Sequence, residues 1–192
     1  MNIVLASKSP RRAEILNRFG LRFEIVTADI DESCSETDPK KYAEYLAALK
    51  GRAVVEAVNK RDTLIISSDT VVAIDGMILG KPKSQEDALN MLKTLSGRTH
   101  TVVSGLSLIL GEKEVCSSEM TEVKFSKLSQ KEIDYYVKTG EPMDKAGSYG
   151  IQGIASLFIE RINGNYDNVV GFPTNLFIKL LAKLNIDIVD LL

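Results

Sequence analysis

The chain has 192 residues, 44% hydrophobic and 26% charged, an ordinary globular composition with enough apolar material for a real core. Its net charge of −2 and dispersed basic residues speak against an extended nucleic-acid surface. Cys34 and Cys116 lack a CxxC spacing and the only histidine is His100, which argues against a cysteine–histidine metal site.

An apolar run of only residues 3–6 precedes Lys8, and no later segment approaches the roughly 18 apolar residues of a membrane span. The expectation is a cytoplasmic protein with two free thiols and no membrane partner, forming one domain over residues 1–192 in two lobes around a cleft. Residues 3–6 read as a strand, and Pro10 opens a helix to about Phe19, with Ser9 suited to its N-cap and Gly20 to its stop. Arg11 and Arg12 then sit at the positive end of the helix dipole, where each cation costs roughly 0.3–1 kcal/mol. A strand, a serine-rich turn and a helix start with free N–H groups make an anion site, and both arginines are accounted for if a phosphate chain is the missing partner. The alternative is solvent, or pairing with Glu14 and surface carboxylates.

Residues 23–26 can form a second strand, followed by a solvated acidic loop in which Asp31 and Glu32 could offer oxygens to a divalent ion. Asp38 and Pro39 cap a long helix with Tyr42, Leu46, Leu49, Ala53 and Ala57 on one stripe. Lys50 lies at the edge of that stripe and is expected to reach for water unless an anion lies near.

Two apolar runs, 64–66 and 71–74, read as buried strand segments around one acid, Asp69. A buried carboxylate without a partner costs several kcal/mol, so Asp69 is either an acid given a cation, donors or a proton, or a turn residue satisfied by Ser67, Ser68 and Thr70. Asp75-Gly76 is a two-residue hairpin signal that turns the chain back and delivers Gly80-Lys81-Pro82 near Asp69. A helix follows from Ser84 with Ala88, Met91, Leu92 and Leu95 inward; 101–110 and 120–125 read as strands. His100 reads as a structural or surface residue.

Ser129 and Glu132 form a second capping box for a helix ended by Gly140. Residues 140–153 then hold four glycines around Tyr149 and Gln152, a loop whose backbone can approach a ligand and whose amide can read a base edge. A strand over 157–162, a turn at Asn163-Gly164, a helix over 174–184 and a short strand over 186–189 complete the expected chain.

Several separated stretches together resemble the Maf family of nucleoside triphosphate pyrophosphatases: Ala6-Ser7-Lys8-Ser9-Pro10-Arg11-Arg12, Ser68-Asp69-Thr70, Gly80-Lys81-Pro82, Gly147-Ser148-Tyr149-Gly150-Ile151-Gln152-Gly153 and Asn168-Val169-Val170-Gly171. The resemblance implies an α/β fold of the inosine triphosphatase (Maf/Ham1) type, a mixed central sheet flanked by helices with two lobes around a deep cleft. It implies Asp69 as general base, with Lys81 and Glu32 in the catalytic group. Ser7, Arg11, Arg12, Lys50 and Lys81 would hold a triphosphate, and Asp69 and Glu32 a divalent cation, Mg²⁺ with Mn²⁺ as the alternative. Arg12, Thr70 and Gln152 resemble the branch acting on dTTP and UTP. Phe172-Pro173-Thr174 and Ile154-Ala155 depart from the family's usual residues beside the base loop. A non-catalytic nucleotide-binding regulator of cell division stays open as the other class, and a homodimer is open with no apolar stripe to mark it.

Overall fold

The computed structural model describes residues 1–58 and 62–192. Apolar β-branched runs flanked by turn residues give the strands β1 (Asn2–Leu5), β2 (Glu24–Ile25), β3 (Thr63–Ile74), β4 (Met77–Leu79), β5 (Thr99–Leu110), β6 (Lys113–Phe125) and β7 (Ile159–Asn163). The helices are α1 (Pro10–Arg18), α2 (Pro39–Ala53), α3 (Gln85–Leu95), α4 (Gln130–Lys138), α5 (Tyr166–Val170) and α6 (Thr174–Lys183). Among the described residues the seven strands make one mixed sheet in the order β2-β1-β3-β5-β6-β7, with β4 beside β3. β1 runs parallel to β2 and β3, and the β3–β5–β6–β7 ladder is antiparallel.

The two apolar runs around Asp69 are not separate strands. They form one strand, β3, in which every residue except Thr70 is buried. One edge of β3 pairs with β5 from Leu64 to Ala73. Its other edge is shared: β1 takes Thr63 to Ile66 and β4 takes Val72 to Ile74. The residues between them, 67–71, face no strand on that side, so a cleft enters the sheet at its middle.

Successive side chains on a strand point to opposite faces, and the two faces are covered differently. One face carries Ile65, Ile109 and Val103, and α2 lies flat across it. Its approach is so close that a β-carbon at Gly105 would stand 2.2 Å from the Ala43 carbonyl oxygen, and Ser67 Oγ donates to the Ala47 carbonyl at 2.7 Å. The other face carries two apolar clusters. Ile3, Leu5, Leu64 and Ile66 pack with α1 and α6; Val72, Val102 and Val123 pack with α3 and α4. Between the clusters runs a polar seam through Ser68, Thr70 and Ser104.

Several expectations change. β6 begins at Lys113 rather than 120, because its polar half alternates along an edge that α2 partly covers. The expected last strand at 186–189 is a 3-10 turn, Ile188–Leu191, capped by Asp187 and with no neighbouring strand to pair with. Within the glycine-rich loop, 140–153, the chain makes two 3-10 turns, Glu141–Asp144 and Ala146–Ser148, and a third, Ile154–Phe158, follows it. The short helix α5 was not anticipated; Asn165 caps it by accepting from the Asn168 N–H. Asp75 and Gly76 both have positive φ, as the hairpin signal requires.

Candidate active site

The cleft encloses about 1140 Å³ and is lined by the end of β1, the middle of β3, and Gly80 and Lys81 just past the β3–β4 hairpin. It is lined by all nine residues singled out in the sequence: Ser7, Arg11, Arg12, Glu32, Lys50, Asp69, Thr70, Lys81 and Gln152. Four segments far apart in the chain thus meet at the gap in the β3 edge, where the two faces of the strand are both accessible.

On the α2 face, Asp69 is 8% exposed, and its Oδ1 accepts from Lys50 Nζ at 2.5 Å. The same ammonium lies 3.2 Å from Glu32 Oε2. Lys50 therefore turns inward instead of reaching for water, because the close seating of α2 holds its stem over the acid. A charge-assisted pair with the Lys side chain 19% exposed and the Asp side chain 12% exposed replaces the lost hydration of both ions. Tyr42 stands at the same wall, its pKa raised by burial and by the charge of Asp69. Among the described residues no three His, Cys, Asp or Glu side chains gather to hold a metal by themselves.

On the opposite face the Arg12 guanidinium spends its fork on neutral oxygens. Nε donates to the Gly171 carbonyl at 2.9 Å, one Nη to Ser7 Oγ at 3.0 Å and the other to Thr70 Oγ1 at 3.2 Å. Ser7 Oγ also accepts from the Ser9 N–H at 3.2 Å, so the residue expected to cap α1 donates its backbone to the turn and makes no side-chain cap. Behind this layer Thr70 Oγ1 bonds Ser104 Oγ at 2.8 Å, and Ser104 Oγ donates to the Asn168 carbonyl at 2.9 Å. No carboxylate among the described residues pairs with Arg12. Burial lowers its pKa, Asp69 pulls the other way and Arg11 adds to the lowering. A guanidinium remains charged through such a shift, so this half of the cleft keeps an unneutralised positive charge.

Arg11 takes the alternative foreseen for it, a carboxylate: Nη1 meets Asp144 Oδ2 at 3.2 Å across the cleft mouth. Asp144 also accepts from Lys145 Nζ at 2.6 Å. Lys81 is exposed and makes no ion pair among the described residues; it shares the cleft with Asp69 without touching it. Gln152 is exposed on the far wall with its amide free among the described residues. Tyr149, on the same wall, is buried, and its hydroxyl is 2.7 Å from His100 Nε2. His100 is thus structural, as expected, though in the core and not at the surface; burial pushes its pKa down to about 4.

Sequence reasoning missed Ser104, Tyr136 and Glu141, placed Ser68 beside Asp69 and not on the Gly171 carbonyl, and gave Asn168 and Gly171 no role. The available signal was serine at buried strand positions, where an apolar residue is the rule and a partner is required.

A mixed-sheet α/β protein with a cation-lined cleft at a gap in its central strand, and an acid rooted in that strand, belongs to the class built to hold a polyanion. The chain belongs to the family described as Maf-like protein, which matches residues 2–184. It is 51% identical to the dTTP/UTP pyrophosphatase of Thermococcus kodakarensis over 188 residues, 98% of this chain and 99% of that protein. It is 53% identical to the protein of the same name from Thermococcus onnurineus, across 93% of this chain and 95% of the relative. A third relative so named, from Ruminiclostridium cellulolyticum, is 48% identical over 96% of each chain. Among solved structures, the chain is similar to the Staphylococcus aureus Ham1 protein at a TM-score of 0.46 and 20% identity, covering 65% of this chain and 72% of that one.

Proposed function

We propose that this protein is a nucleoside triphosphate pyrophosphatase that cleaves dTTP and UTP between the α and β phosphates, adding water to give the monophosphate and pyrophosphate. The observation that carries the reading is Asp69, a buried acid facing a cleft whose cations come from separated parts of the chain. A site that only sensed nucleotides would need the cations and gain nothing from the acid. The names of relatives about half identical over nearly the whole chain support the substrate class.

Such a transfer needs positioning, charge neutralisation and an activated water more than covalent help. Arg12 and Lys81 pair with no carboxylate among the described residues and engage phosphate oxygens first; Ser7 and Arg11 complete that end of the chain of phosphates. Phosphate draws Lys50 away from Asp69 and Glu32, and the freed Asp69 carboxylate accepts the proton of a water beside the α-phosphorus. Thr70 fixes Arg12, and the Gln152 amide, donor and acceptor in one group, meets the edge of uracil or thymine, which presents two carbonyls and one N–H.

Asp69 and Glu32 fit a divalent ion, since both are hard oxygen donors already sharing one cation, the Lys50 ammonium. Two carboxylates are what Mg²⁺ or Mn²⁺ takes when substrate phosphates and waters supply the rest. When bound, the ion supplies charge neutralisation and a more acidic water.

The test is incubation with dTTP or UTP and Mg²⁺ and assay of both products. Pyrophosphate with equimolar monophosphate is the expected result. Orthophosphate would make the protein a phosphatase, and tight nucleotide binding with no cleavage would make it the regulator.

A further inference from the structure

The amide thought to read the base sits on a turn whose two ends are tied down by a pair of side chains with no other evident duty. Residues 150–153 form a tight turn, closed by the Gly153 N–H donating to the Gly150 carbonyl at 3.1 Å, with Gln152 third in the turn. At its start, the Gly150 N–H donates to the Tyr136 hydroxyl at 3.2 Å. Just past its end, the Ile154 N–H donates to Glu141 Oε2 at 3.1 Å. The two anchors are one unit, because the Tyr136 hydroxyl donates to Glu141 Oε1 at 2.9 Å. Tyr136 is fully buried, its ring edge-on to Phe158, and the Glu141 backbone is itself held, its carbonyl accepting from Lys145 Nζ at 2.7 Å. The carboxylate lies so close to the turn that a β-carbon on Gly153 would stand 2.1 Å from Glu141 Oε1.

We propose that Tyr136 and Glu141 are positioning residues for base selection, a two-point clamp that fixes the direction and depth at which Gln152 meets the nucleobase. The inference rests on the reading of Gln152 as the base reader. A free glutamine amide can present either its oxygen or its NH₂, and so suits cytosine as readily as uracil. Selection requires the backbone beneath the amide to hold still, and ordering it in advance moves the entropy cost from binding to folding. Tyr136 and Glu141 touch neither phosphate-binding cation nor Asp69, so loosening them changes which base is held and leaves the hydrolytic step alone.

The test is kcat and KM for dTTP, UTP, CTP and GTP in the wild type, Tyr136→Phe, Gln152→Ala and their double variant, with thermal midpoints as a folding control. Tyr136→Phe is expected to raise KM for dTTP about tenfold, with kcat within a factor of two, and to shrink the preference for dTTP over CTP and GTP by a similar factor. The double variant should lose no more than Gln152→Ala alone, since both changes remove one function. Unchanged selectivity in Tyr136→Phe, an equal fall in kcat for every base, or additive losses in the double variant would overturn the clamp. Should Tyr136→Phe fail to fold, Glu141→Ala attacks the other anchor and carries the same expectation. If the wild type cleaves none of the nucleotides, the hydrolytic reading fails by itself. Calorimetric affinities for α,β-imido dUTP and dCTP in the same variants then decide the clamp by the same ratio.

Discussion

The two walls of the cleft handle polar groups in opposite ways. The wall made by α1, α2 and β3 carries charge: Lys50 held by Asp69 and Glu32, and Arg12 held only by neutral oxygens. On the wall made by the 3-10 turns, apart from the Gln152 amide, polar groups are mostly tied to one another, His100 to Tyr149, Tyr136 to Glu141 and Lys145 to Asp144, which also reaches Arg11 across the mouth. One wall is arranged to receive charge, the other to keep a shape. The difference teaches that pairing, more than residue type, marks what a ligand can use: Arg12 keeps its charge available, whereas the Lys50 charge becomes available only on exchange.

If that contrast is right, removing the acid of the charged wall has the largest effect. Asp69→Asn keeps the shape and loses the proton acceptor, so kcat is expected to fall about 10²–10⁴-fold while nucleotide affinity stays within a few-fold. Rapid-quench turnover and calorimetry measure the two separately, and near-normal turnover would take Asp69 out of the chemistry.

The shape-keeping wall predicts a stability effect instead. His100 in the unfolded chain takes its proton near 6.5, but in the fold not until about 4. Between those values the unfolded chain binds the extra proton, so stability present above pH 6.5 drains as pH falls to 4 and drains no further below. The full loss is on the order of 3 kcal/mol, at roughly 1.4 kcal/mol per pKa unit. Denaturant unfolding of wild type and His100→Gln at pH 7 and 4.5 checks it: the variant should lose less on acidification, and equal losses would contradict the assignment.

Arg12→Lys sharpens the contrast by keeping the charge and removing the fork. The Gly171 carbonyl and Thr70 hydroxyl lose their guanidinium donors, and kcat/KM for dTTP is expected to drop about thirtyfold, near 2 kcal/mol. A lysine that served as well would mean that charge alone matters there. The smallest effect belongs to Lys81→Ala, where KM should rise about threefold at low salt and the difference should fade as ionic strength screens the exposed ammonium. A salt-independent change would point to a structural duty for Lys81.

Much of this was legible in the sequence, for identifiable reasons. Asp69 stood out because an acid between two apolar runs needs a partner, and Lys81 followed from the hairpin at Asp75-Gly76. The N-terminal arginines stood out because they oppose the dipole of their own helix. What the sequence hid depends on contacts between distant segments. The pairing of Lys50 with Asp69 needs α2 seated flat on the sheet, a consequence of Gly105 on a strand fifty-five residues further on. Residues 140–153 read as a loop whose backbone approaches a ligand, but not as one fastened from within; its glycines admit the side chains that fasten it, as Gly153 does for Glu141. The strand expected at 186–189 had the right residues but no strand beside it to complete a ladder.

The uninterrupted pairing of β3 with β5 from Leu64 to Ala73 runs beneath both halves of the molecule. The ladder is unbroken at the level of the cleft, and Asp69 sits within it opposite Gly105. The floor of the cleft is therefore backbone whose partners on the β5 side are already in place, a single keel under both sides, with the acid set at its midpoint.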